Sequence, residues 1–70
     1  MKRYWRIDVP GVYGYSFAVK GDIFSDGDAL ELAYDRDLFI DADDFNYATA
    51  EEITDNGYEM SHWEDEATEV

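Results

Sequence analysis

Hydrophobic and polar residues alternate from Arg3 to Val9, with Trp5, Ile7 and Val9 on one side and Tyr4, Arg6 and Asp8 on the other. A period of two is the signature of a half-buried strand. Pro10-Gly11 and Gly14 interrupt the pattern, after which Tyr15, Phe17 and Val19 alternate with Ser16, Ala18 and Lys20, so the two runs predict a β-hairpin. Gly21 to Ser25 breaks the alternation. Ser25 or Asp26 can cap a helix running to about Arg36 or Leu38, and Asp26 and Asp28 are well placed for the dipole at its start. Ala29, Leu30, Ala33 and Tyr34 fall on one helix face and Asp28, Glu31 and Asp35 on the opposite one, with Leu32 nearer the acidic side. After Leu38-Phe39-Ile40 comes an acidic loop, Asp41-Ala42-Asp43-Asp44, and then a strand expected from about Ala48 to Thr54. Asn56-Gly57 signals a type I′ turn, because both residues tolerate positive φ, and Tyr58 to Trp63 reads as the return strand. The pattern therefore predicts an α+β fold: a single antiparallel sheet of about four strands with one helix between two hairpins, ββαββ.

Length limits what that sheet can bury. Seventy residues make one domain, 1–70, and a domain of this size removes only about 60% of its unfolded surface from water. The chain has no cysteine, so neither a disulfide nor a thiolate metal site is available, and apolar packing must supply the stability. Aromatic residues make up 17% of the chain, and Trp5, Tyr15, Phe17, Phe24, Phe39, Phe45 and Trp63 are the large side chains expected to close the core. A hydrophobic content of 46% is not the composition of a disordered chain. Only the stretch from about Glu64 to Val70 reads as a flexible acidic tail.

Charge changes the picture more than any other property. Eighteen Asp and Glu against five Lys and Arg give a formal net charge of -13. Such a charge destabilises a small body through self-repulsion and disfavours direct binding to nucleic acid or anionic membrane, so a basic partner is expected. Met1-Lys2-Arg3 leads into a strand pattern rather than the apolar run of a signal peptide, and no stretch approaches the ~18 apolar residues of a membrane span. Both points suit a cytoplasmic location.

Candidate chemistry is sparse. Asp41, Asp43 and Glu52 match the first, third and twelfth positions of an EF-hand loop, but Phe45 and Asn46 occupy the fifth and sixth, where a ligand and a glycine belong. The only histidine is His62, set between Ser61 and Trp63, and no serine lies in a nucleophile-elbow or phosphate-loop context. Paired carboxylates alone would need a cleft that so small a body is not expected to offer. The expectation is a binding protein, with no enzymatic activity, no cofactor and no metal.

The strongest functional pattern is electrostatic. Duplex DNA carries one charge per ~1.7 Å of axis, so a body ~30 Å long would replace roughly eighteen phosphate charges. Asp28, Glu31 and Asp35 rise along one helix face about a turn apart, and Asp41, Asp43 and Asp44 extend the run beyond the helix, which makes these six the candidate partner-binding residues. Two blander readings compete with mimicry: carboxylates that simply solvate the surface, and adaptation to a saline cytoplasm. Against the second stands the abundance of Tyr and Trp, a pattern commoner at interfaces.

Tyr15-Ser-Phe-Ala-Val-Lys-Gly-Asp followed by Asp26-Gly-Asp-Ala-Leu-Glu-Leu-Ala-Tyr resembles the strand, acidic turn and helix of small phage and mobile-element proteins, including the DpnD/PcfM-like group. Small size, strong acidity, a strand-helix-strand layout and the lack of an enzyme motif are similar to phage-encoded anti-CRISPR and anti-restriction proteins that act as DNA mimics. The resemblance implies an inhibitor, working in the host cytoplasm, that occupies the DNA-binding surface of a defence complex such as a CRISPR effector. It transfers no binding residue position by position. The alternative class is a small regulatory or antitoxin-like protein that binds a basic protein without imitating DNA.

Overall fold

The computed structural model describes residues 2–54 and 57–70. Strands β1 (Arg3–Val9) and β2 (Tyr15–Gly21) come first, then helix α1 (Asp26–Asp35), a 3₁₀ helix (Ala42–Asn46), β3 (Thr49–Ile53), a short helix α2 (Tyr58–Trp63) and β4 (Thr68–Glu69). The fold is α+β, with one mixed four-stranded sheet in the order β3-β1-β2-β4. β1 pairs antiparallel with both β2 and β3, whereas β4 runs parallel to β2.

The first hairpin forms as its alternation requires. Trp5 lies opposite Val19, Ile7 opposite Phe17 and Val9 opposite Tyr15, so both apolar sets share one face. The connecting turn depends on its glycines: Gly11 has φ of 115°, and a Cβ on Gly14 would lie 2.5 Å from the Val9 carbonyl oxygen.

Helix α1 covers that face. Ser25 caps it by accepting from the Asp28 amide, and Ala29 and Ala33 are fully buried against Trp5, Ile7, Val9, Val19, Ile23 and Phe39. Two alanines at this spacing let helix and sheet approach closely, and the Trp5 indole donates to the Ile23 carbonyl at 3.2 Å. Leu32 is half-buried against this core while Tyr34 is exposed, so the helix is rolled slightly from the expected face. Burying Leu32 removes an aliphatic chain from water, whereas Tyr34 finds an edge-on partner in Phe45 at 5.0 Å. The chain turns out of the helix at Asp37, whose φ of 58° allows the Leu38 amide to reach the Ala33 carbonyl and the Asp37 amide to reach that of Tyr34, both at 3.0 Å.

Three expectations are corrected. The sheet is mixed rather than antiparallel, and the order of elements is not ββαββ. Tyr58 to Trp63 is helix α2, not the return strand of a second hairpin. Met60 and Trp63 are half-buried, a spacing of three that turns one side of a helix inward. Arg6 projects from the sheet face opposite α1 and its guanidinium meets the Glu59 carboxylate, so α2 sits over that second face, where Ala18 is also buried. The stretch from Glu64 to Val70 contains β4. The expected turn at Asn56-Gly57 involves Asn56, which lies outside the described residues. Among the core candidates, Trp5 and Phe39 are buried and Tyr15, Phe17, Phe45 and Trp63 half-buried; Phe24 is exposed, with the Arg3 guanidinium 5.5 Å from its ring centre.

Candidate functional site

Helix geometry puts the carboxylates of Asp28, Glu31 and Asp35 within an arc of about 60°, on the side facing away from the buried alanines. All three residues are exposed, and among the described residues none of them takes part in an ion pair. Core packing does not explain their presence, although Asp28 suits the dipole at the start of α1 and Arg36 follows Asp35 as the C-cap residue. Asp35 also stands in the last turn of α1, where the helix dipole disfavours a negative charge by about 0.3–1 kcal/mol.

The other three candidates belong to the 3₁₀ helix, and two of them hold it together. Asp41 is its N-cap and accepts from the Asp43 amide at 3.0 Å, while Asp44 reaches back to the Asp41 amide at 3.3 Å, forming a capping box. Asp44 also accepts from the Tyr15 hydroxyl at 2.7 Å, and that hydroxyl in turn accepts from the Ile40 amide at 2.9 Å. Desolvation, and then the Asp44 carboxylate, push the Tyr15 phenol above its ordinary value. Asp43 is exposed, with its side chain outside this network among the described residues. Phe45 packs edge-on against Tyr34 of α1 and, at 6.2 Å, against Phe39, which ties the 3₁₀ helix to the helix bearing the first three acids.

Three of the five cations are paired away from this row. Lys2 pairs with Glu69 at 2.8 Å, Arg3 with Glu52 at 3.8 Å, and Arg6 with Asp8 at 2.9 Å, Glu51 at 3.4 Å and Glu59. The hydrogen bond that the Lys2 ammonium donates to Glu69 lowers the Glu69 carboxyl and raises Lys2, while Asp8 is the chief cause of a raised Arg6. The first twenty residues hold four cations and one acid, a net of +3; the rest hold seventeen acids and only Arg36, a net of -16. The positive hairpin lies in the middle of the sheet, where its charges are answered within the protein. A surplus of carboxylate is left over α1 and the 3₁₀ helix.

The described residues enclose no pocket, and they bring together no group of three or more His, Asp or Glu able to hold a metal ion. His62 stands 4.0 Å from Glu66 and edge-on to Trp63. Among the described residues no helix is long and apolar enough to cross a membrane. The helical period of the sequence points to the α1 acids, whereas no period marks Val12 and Tyr13 of the first turn, which are exposed. Set against protein-family models, curated proteins and solved structures, the chain matches none.

Proposed function

We propose that the protein is an inhibitor that occupies the DNA-binding surface of a basic nucleic-acid-binding complex, a CRISPR effector of a host cell being the leading case, by presenting carboxylates in place of phosphates. The observation that carries this reading is the exposed row Asp28, Glu31 and Asp35, which takes part in no ion pair among the described residues. Asp43 adds an exposed charge on the adjoining element, while Asp41 and Asp44 shape the turn that displays it. Successive acids of the row rise by about 4.5 and 6 Å along the helix axis; phosphates follow one another every ~3.4 Å along one DNA strand. The longest dimension of the molecule is 31 Å, which on duplex DNA would carry roughly eighteen charges, the same order as the net charge of -13.

Competition tests it. A guide-loaded effector is mixed with a labelled target duplex, and the protein is titrated in at ~0.1 M salt, where the Debye length is ~10 Å. Duplex should be displaced, and displacement should fade as salt rises. Glu31→Lys combined with Asp35→Lys should weaken it by about tenfold or more while leaving the fold intact, because exposed substitutions usually alter stability by less than about 0.5 kcal/mol. A complex of effector, duplex and protein together, with duplex affinity unchanged, defeats the mimicry and favours a purely acidic regulatory partner.

A further inference from the structure

The end of the sheet at which β1 stops carries four large apolar side chains in water. Val12 is 95% exposed, Tyr13 94%, Ile40 82% and Tyr47 68%. Their placement follows from pairing. Val12 and Tyr13 belong to the turn between Val9 and its register partner Tyr15. The Tyr15 hydroxyl holds the Ile40 amide at 2.9 Å, and Tyr47 lies just before Thr49, the register partner of Asp8. Scattered exposed apolar residues are ordinary, but four gathered at one end of so small a body are not.

Neither the turn nor the core requires them. Turn positions favour small polar residues, and the conformational demands of this turn fall on Gly11 and Gly14. Among the described residues, the Tyr13 ring has no aromatic partner and its hydroxyl no hydrogen bond. We infer that Val12, Tyr13, Ile40 and Tyr47 form the apolar anchor of a docking surface whose occupant is a basic protein segment carrying an apolar side chain. From the proposed function this takes only that the partner is basic.

Charge selects that occupant. Asp41 and Asp43 are exposed beside Ile40 and Tyr47, whereas Lys2, Arg3 and Lys20 lie toward the opposite end of the sheet and Arg6 is held by three carboxylates. A second copy of the chain would bring one charge of -13 against another. An apolar centre with a charged rim is the anatomy of a protein interface, and in such interfaces a few apolar anchors carry most of the affinity.

Two lysine-rich peptides serve as probes, identical except for a central tryptophan in one and glycine in the other, each titrated into isotope-labelled protein and followed by amide chemical shifts. The tryptophan peptide should bind about tenfold more tightly, as expected for partial burial of one aromatic side chain. Only that peptide should shift the amides of Val12, Tyr13, Ile40 and Tyr47, while those of α1 respond to both. Val12→Ser with Tyr13→Ser should reduce the tryptophan peptide to the affinity of the glycine peptide, with the rest of the spectrum unchanged. Equal binding of the two peptides, or a preference for tryptophan that survives the double substitution, overturns the anchor and leaves the basic-partner reading standing. Failure of both peptides to bind removes that reading and the anchor with it.

Discussion

Tyr15 shows how much one side chain can carry in a core this thin. Its ring stacks on Phe17 with centres 6.2 Å apart, and its hydroxyl links the Asp44 carboxylate to the Ile40 amide. The raised phenol means that the folded state holds this proton more tightly than the unfolded chain does. That contribution to stability is complete below the unfolded value of about 10 and is lost as pH rises through the higher folded value. Tyr15→Phe should lower stability by about 1–2 kcal/mol and flatten the alkaline decline, as measured by urea unfolding between about pH 8 and pH 11. An unchanged alkaline slope would show that another group titrates there. At this scale the sequence was legible wherever a period was strong: alternation identified Trp5, Ile7 and Val9, all of which are buried. The orientation of Leu32 against Tyr34 was not, because one helix step decides between them and the deciding partner, Phe45, is remote in sequence.

Among the elements, α2 is the one that local pattern misled. Six residues are too few to distinguish a period of two from one of 3.6, and the adjacent Asn56-Gly57 pair favoured a hairpin. What decides is a contact remote in sequence, the Arg6 guanidinium on β1 meeting the Glu59 carboxylate. Glu59→Ala should therefore loosen α2 before anything else. Amide exchange across Tyr58–Trp63 should accelerate while exchange in β1 is unchanged, and global stability should fall by no more than about 1 kcal/mol for a partly exposed pair. Uniform acceleration over the whole sheet would mean that α2 is not a separate unit. The candidate site divides in the same way. The row on α1 could be read from its spacing, whereas the roles of Asp41 and Asp44 in a capping box were hidden because acidity alone suggested surface.

For the molecule as a whole, the uneven division of charge has an energetic cost. The surplus over α1 and the 3₁₀ helix repels itself, and the pairs within the sheet are mostly exposed and weak. Screening should relieve more repulsion than it removes attraction. Thermal unfolding should accordingly move to higher temperature between about 0.02 M and 0.5 M sodium chloride. A lower midpoint at high salt would show that the ion pairs outweigh the repulsion. The salt that stabilises the free protein is then the same salt that weakens its proposed binding, so measurements of the two should run in opposite directions.

The parallel pairing of β4 with β2 has a consequence for solubility. β4 covers β2 only at Val19 and Lys20, and the Val70 amide adds a bond to the Lys20 carbonyl at 2.9 Å. Joining residues so distant in the chain is slow compared with closing the first hairpin, so this strand should be the last to dock and the first to leave. While it is absent, β2 is a bare edge able to recruit strands from other molecules. Gly21 guards against that outcome, since a Cβ there would meet the Val70 carbonyl oxygen at 2.7 Å. Gly21→Ala should keep the β1–β2 hairpin, expel β4 and increase self-association, seen as light scattering that grows with protein concentration at high salt, where charge no longer keeps the molecules apart.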